Sequence, residues 1–189
     1  KGILKIASGG LKAKMVGISA EEFPDIGLAG KQELTVATVN LQEGIEKTLF
    51  AVSGDEGRPI LTGIKISTDS AEKEANRLQL IATDGYRLSL VKVNSLKGKL
   101  EDSIVVPGKA LLEVERMFSG KEVKLRLMDD EGIVFIFDEG WISARLLAGD
   151  FPAAEKILPE KFDLEIGVDK FELTRAVRTA AIFARETAN

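Results

Sequence analysis

Leu80-Ile81-Ala82-Thr83-Asp84-Gly85-Tyr86-Arg87-Leu88-Ser89-Leu90 sets a tight turn and a cation between two apolar runs of β character. Asp-Gly between alternating apolar residues is a strong hairpin signal, because glycine reaches the positive φ that such turns require. Taken alone, the segment is a plain hairpin with Arg87 as a solvated edge charge. It is equally the build of a docking ledge, and the rest of the chain has to decide between the two.

Working outward, the same alternation recurs on both sides. The pattern predicts a strand from Leu34 to Val39, a helix from Leu41 to Ser53, and strands Ile60 to Ser67, Leu78 to Thr83 and Tyr86 to Val93. The order then repeats. A strand from Ser103 to Val106 leads into a helix from Lys109 to Phe118, stopped by Gly120 in the C′ role. Strands Val123 to Met128, Ile133 to Phe137 and Trp141 to Leu147 follow, with turns at Asp129-Asp130-Glu131-Gly132 and Asp138-Glu139-Gly140. Alternation, as opposed to continuous apolar runs, argues for antiparallel sheet with one wet face and one face under helices. The expected fold class is α+β, built from two similar halves of strand, helix and three strands.

Composition narrows the chemistry. Of 189 residues, 44% are hydrophobic and 30% charged, the balance of a packed chain with no sign of disorder. No apolar run approaches the roughly 18 residues of a membrane span, and no basic segment followed by an apolar one opens the chain, so a cytoplasmic protein without membrane association is expected. Zero cysteine and zero histidine remove disulfides, thiolate nucleophiles, the commonest general base and the commonest zinc ligand. Lysine and arginine total 26 against 30 acids, for a formal charge of −4, so any basic face has to be local.

The chain opens on alternating segments, Ile3-Leu4-Lys5-Ile6 and Leu11-Lys12-Ala13-Lys14-Met15-Val16, joined at Gly9-Gly10. An isolated hairpin is marginal in water, which predicts a partner segment upstream. An acidic-Phe-Pro element occurs twice, as Glu22-Phe23-Pro24 and Asp150-Phe151-Pro152, each between an alternating strand and a further strand and helix. The second copy leads to Leu164-Glu165-Ile166-Gly167-Val168, read as a strand, and a third helix. Asn40 with Glu43 and Asp169 with Glu172 each match a capping box, in which cap side chain and N3 carboxylate satisfy each other's orphan amides. This spacing is that of a repeated domain.

On the second helix Leu111, Val114 and Phe118, with Leu112 and Met117, form the apolar side and leave Lys109, Glu113 and Arg116 outward. The first helix is equally mixed, with Glu43, Glu46 and Lys47, and the third carries Arg175 and Arg178 one turn apart. A solvated, salt-bridged face and weak, sequence-blind contact with phosphates both fit such helices; base reading does not. No Walker A loop, GxGxxG, GxSxG or HExxH is present, so no catalytic residue, metal site or cofactor is expected. Adjacent acids such as Asp129 and Asp130 keep open a metal-dependent nuclease on the same fold, and a non-DNA adaptor using the sheet surface is the other alternative.

Four motifs together resemble a known family. Arg58-Pro59-Ile60-Leu61-Thr62-Gly63-Ile64, Ala82-Thr83-Asp84-Gly85-Tyr86-Arg87-Leu88, Ile104-Val105-Val106-Pro107-Gly108-Lys109 and Gly149-Asp150-Phe151-Pro152 occur in the order and approximate spacing of the middle domain of the bacterial DNA polymerase III β subunit, the replicative sliding clamp. By that resemblance residues 1–30 look like the end of a first clamp domain, 31–159 like a complete second, and 160–189 like the opening of a third. The chain would then be a fragment unable to close a ring by itself. The resemblance implies a DNA-clamp fold, with sheet outside and helices inside a homodimeric ring around duplex DNA, and a non-catalytic processivity role. It implies partners that dock short linear motifs: the polymerase III catalytic subunit, the clamp loader and repair proteins. The middle-domain wall of that docking cleft carries over as Leu61, Thr83, Gly85, Tyr86, Arg87, Leu88, Pro152, Lys156 and Ile157. Arg58 and Lys109 match DNA-side positions, and Arg175 and Arg178 join them on helix grounds. Tyr86 stands where many members have histidine, Lys156 where arginine is frequent and Thr62 where asparagine is common, which bears on peptide preference.

Overall fold

The computed structural model of the chain describes residues 2–22, 30, 32–69, 77–128, 131–153, 156, 158–159 and 161–184. Two compact units are present, Lys1–Pro152 and Ala153–Asn189. In the first unit a two-stranded antiparallel ribbon, β1 (Ile3–Ser8) and β2 (Leu11–Val16), turns at Gly9, whose φ of 57° glycine adopts without strain. The body of the unit runs β3 (Gln32–Ala37), α1 (Thr38–Leu49), β4 (Gly63–Thr68), β5 (Arg77–Thr83), β6 (Leu88–Lys97), β7 (Ile104–Pro107), α2 (Gly108–Arg116), β8 (Glu122–Leu127), β9 (Gly132–Ile136) and β10 (Trp141–Arg145).

These eight strands form one antiparallel sheet in the order β10-β9-β8-β3-β6-β5-β4-β7. The duplication is visible as an exchange. The first strand of each half also pairs with the second strand of the other, β3 on β8 and β7 on β4. The β3–β6 pairing within the first half has its counterpart in the second, where Leu147 N donates to the Val105 carbonyl at 2.9 Å.

Alternation sends Leu34 and Val36, Ile64 and Ile66, Leu78 and Leu80, Val123 and Leu125, and Ile133 and Phe135 to one face, where Leu41 and Ile45 of α1 and Leu111 and Val114 of α2 cover them. Each such fully buried side chain contributes roughly 1.5–3 kcal/mol relative to exposure. Gly44 of α1 lets that helix close on β5: a Cβ there would lie 3.1 Å from Leu80 Cδ2. The fold class is therefore α+β with an antiparallel sheet under two helices, as alternation predicts. Leu112 and Met117, expected on the apolar side of α2, are 42% and 37% exposed; the helix meets the core with Leu111 and Val114, and Ala110 packs beside them.

Several boundaries differ from those expected. Helix α1 begins at Thr38, so Asn40 is not its cap; Ala37 is, with no side-chain bond. The Thr38 amide is met by the Lys121 carbonyl, and main chain takes over what a capping side chain would do. Asn40 Nδ2 donates instead to the Asn94 carbonyl at 3.1 Å. At the other end, Ala51 N to Thr48 O and Val52 N to Leu49 O make tight turns, and the helix stops four residues short of Ser53. Ile60 to Thr62, expected as the start of a strand, falls in a 3₁₀ turn, Pro59–Thr62, since Pro59 has no amide for a ladder and Leu61 N bonds back to Arg58 O. Gly120 keeps a positive φ of 72° but lies beyond the cap of α2, which is Met117.

The second unit contains α3 (Lys170–Ala184). Here the cap is as expected, with Asp169 Oδ1 accepting from Glu172 N at 2.9 Å, while the Glu172 carboxylate accepts from Arg175 Nη2 instead of closing the box. Residues 164–168, read as a strand, form none.

Candidate functional site

The turn between β5 and β6 is organised by two side chains. Thr83, buried at the end of β5, donates its hydroxyl to the Arg87 carbonyl at 2.8 Å and accepts from Gly85 N at 3.1 Å. Asp84 Oδ1 accepts from Tyr86 N at 2.9 Å and Arg87 N at 3.0 Å, and Oδ2 takes Arg87 Nε at 2.9 Å. These main-chain donors from Tyr86 and Arg87, with the Arg87 guanidinium, hold the Asp84 carboxyl down at about 2. With both amides engaged there, β6 starts at Leu88 and not at Tyr86. Gly85 supplies the left-handed residue, φ 95°.

The turn is tied to the 3₁₀ segment that carries Leu61. Arg58 Nη2 donates to the Asp84 carbonyl at 3.3 Å and Arg58 Nε to Asp55 Oδ2 at 3.1 Å. Asp55 in turn accepts from Gly57 N, and that bond, with Arg58, lowers its pKa. Leu61 itself is buried, its carbonyl accepting from Ser53 N, so it lies beneath the surface and not on it. Gly63 is crowded: a Cβ would lie 2.6 Å from the Val106 carbonyl and 2.8 Å from Leu147 Cδ1. Gly149, φ 122°, passes against Ile60 of the same 3₁₀ turn.

Of the nine residues expected to line a partner cleft, the first unit thus brings together Leu61, Thr83, Gly85, Tyr86, Arg87 and Leu88, with Pro152 exposed at its end. Tyr86 is 97% exposed and Leu88 half-buried. Lys156 belongs to the second unit, where its amide bonds to the Ala153 carbonyl, and Ile157 lies outside the described residues. Arg87 does not extend freely: besides Asp84, its guanidinium sits 5.7 Å from the centre of the exposed Phe50 ring. Phe50 and Asp84 are contributors that motif reading overlooked. Asp84 was legible as an Asp one residue ahead of a turn glycine; Phe50 had no local signal, because its neighbour Arg87 comes from the turn between β5 and β6.

Three of the four cations expected toward DNA are matched by an acid. Arg58 pairs with Asp55, Lys109 Nζ with Glu56 at 3.6 Å, and Arg175 with Glu172 at 2.7 Å. Arg178 has no ion-pair partner among the described residues. Arg116 with Glu113 and Lys47 with Glu43 continue the pattern along α2 and α1. Where the end of α1 meets the start of α2 lies a cleft of about 380 Å³, walled by Leu49, Val52, Pro107 and Leu112 with Lys109 at its edge. Asp129 and Asp130 lie outside the described residues, and no group of three potential metal ligands occurs among the described ones. No helix is long and apolar enough to cross a membrane, again among the described residues.

The profile of the DNA polymerase III beta subunit, central domain, matches residues 35–153. A beta sliding clamp of Synechococcus elongatus is 34% identical over 192 residues, covering 98% of this chain and 49% of that protein. The beta sliding clamp of Staphylococcus aureus is 28% identical, covering 97% and 48%. The crystal structure of the DNA polymerase sliding clamp from Bacillus subtilis superposes with a TM-score of 0.71 at 27% identity, covering 84% of this chain and 41% of that one. The chain spans about half the length of the curated relatives it matches.

Proposed function

The chain belongs to the DNA polymerase III beta subunit family, and from that premise we propose that it is part of a sliding clamp, a non-catalytic subunit that encircles duplex DNA and tethers a polymerase for processive synthesis. In this reading residues 1–30, 31–159 and 160–189 belong to three successive clamp domains, two subunits close the ring, and the protein works in the cytoplasm.

The observation that carries the proposal is the pairing of Arg58, Lys109 and Arg175 with Asp55, Glu56 and Glu172. A ring that slides needs a surface that tolerates phosphates without gripping them. Each phosphate neutralised by a free lysine or arginine adds to the affinity and to its salt dependence, whereas a cation already matched by a neighbouring acid adds less. Helices laced with exposed ion pairs suit passage along a duplex better than a uniformly basic groove does.

The turn from Thr83 to Leu88 is then the middle-domain wall of a cleft for short linear motifs of the polymerase catalytic subunit, the clamp loader and repair proteins. Leu88 and Pro152 offer apolar surface, Leu61 supports it from beneath, and Arg87 at the rim meets a peptide carbonyl or carboxylate. Loading onto a nicked circular plasmid tests the function: the protein containing this sequence is expected to stay on the circle and to be lost when the plasmid is linearised. Retention on linear DNA would overturn it.

A further inference from the structure

Phe50 follows directly on α1, and its ring meets the turn between β5 and β6 from a different part of the fold. The guanidinium carbon of Arg87 lies 5.7 Å from the ring centre, within the range of a cation–π contact. Helix and strand are joined at this point: Ser89, near the start of β6, donates its hydroxyl to the Lys47 carbonyl in the last turn of α1. Phe50 stands outside the hydrophobic core of the unit, so core packing gives no reason for an aromatic ring here.

Arg87 is held at its main chain and at one edge of its side chain. Thr83 Oγ1 donates to its carbonyl, Asp84 Oδ1 accepts from its amide, and Asp84 Oδ2 accepts from Nε at 2.9 Å. Nη1 and Nη2 have no partner among the described residues. A guanidinium is planar, and the edge between its two terminal nitrogens offers two parallel N–H donors, the geometry that a carboxylate accepts side by side. The Phe50 ring against the guanidinium limits rotation of that plane, so the fork is set before a ligand arrives. Fixing an arginine otherwise costs much of its rotamer freedom, and preorganisation removes part of that cost from binding. Asp84 leaves room for a second acid on Arg87, because its own charge is shared with the Tyr86 and Arg87 amides.

We propose that Phe50 is a positioning residue of the docking ledge: its ring orients Arg87 so that Nη1 and Nη2 donate together to one carboxylate of a docked linear peptide. The ledge then prefers an acidic side chain to its amide, since an amide presents one acceptor oxygen to the fork and a carboxylate two. The proposal rests on the reading of Thr83 to Leu88 as a peptide-docking wall. It adds the chemical group bound there and the residue beyond α1 that sets the preference.

Fluorescence anisotropy tests this with the protein containing this sequence and labelled clamp-binding peptides. One aspartate is moved along the peptide, and each version is compared with its asparagine counterpart. At one position the aspartate peptide is expected to bind about fivefold tighter. Arg87→Lys is expected to abolish that ratio, because lysine has the charge without the fork. Phe50→Leu is expected to reduce the ratio about threefold while affinity for the asparagine peptide holds, and Phe50→Tyr to retain it. The ratio is internal to each variant, so partial unfolding lowers both affinities and leaves it unmoved. Equal binding of aspartate and asparagine peptides at every position overturns the proposal, as does an unaltered ratio in Phe50→Leu; either result leaves the docking wall standing. If no peptide binds and no amide from Thr83 to Leu88 shifts in NMR spectra, the docking reading itself fails and the role of Phe50 with it.

Discussion

Arg58 joins two segments far apart in the chain: its Nη2 donates to the Asp84 carbonyl at 3.3 Å while its Nε holds Asp55 Oδ2 at 3.1 Å. The residue proposed to face DNA therefore also braces the turn proposed to receive peptides.

Arg58→Ala is expected to lower stability by less than about 1 kcal/mol, since both bonds are exposed. Its effect should appear instead in the turn. Amide chemical shifts of Gly85, Tyr86 and Arg87 are expected to move, and affinity for a clamp-binding peptide to fall together with the salt slope for duplex. Shifts confined to residues 55–62 would show that no link exists.

The Asp84 carboxyl, held near 2 against an ordinary 3.8, sets a pH window. A depressed folded-state pKa contributes stability that is complete above the unfolded value and is lost as pH falls through the folded one. Unfolding temperature should therefore decline between pH 3.8 and about 2 more steeply in the native chain than in Asp84→Asn. An NMR titration of the Asp84 carboxyl with its midpoint at 3.8 would contradict the geometry.

Gly63→Ala places a Cβ 2.6 Å from the Val106 carbonyl, and β4 and β7 cannot separate without breaking their ladder. A cost of about 1–3 kcal/mol is expected, read by urea denaturation. Gly54→Ala, where nothing lies within 4 Å of the added carbon, is the matched control and should change stability little.

Leu88→Lys is expected to reduce binding of a linear clamp-binding peptide by tenfold or more, the equivalent of about 1.4 kcal/mol, without unfolding the half-exposed start of β6. Peptide-induced NMR shifts should cluster between Thr83 and Leu88 in the native chain. Clustering elsewhere would place the docking surface on another face.

The Thr83 to Leu88 turn was legible because its determinants are local: Asp84 binds amides two and three residues on, and Gly85 adopts a φ that other residues avoid. The same locality made Asp169 readable as a cap. Asn40 has the identical local pattern, yet its role went to Ala37 because Lys121, remote in sequence, supplies the carbonyl that meets the Thr38 amide. Phe50 and Arg87 likewise meet only through folding.

Periodicity and turn chemistry by themselves determined the alternating faces, the two strand-helix-three-strand halves and the family motifs, since each depends on residues within a few positions of one another. Tertiary structure alone decided that β3 and β7 cross to the opposite half, that Pro59–Thr62 coils instead of extending, that Leu61 lies beneath the turn, and that Arg58 spans from Asp55 to Asp84. The physical reason is that strand partners and side-chain neighbours are selected by which apolar faces can be buried together and which polar groups must then be satisfied, and both are properties of the whole sheet and not of any segment in it.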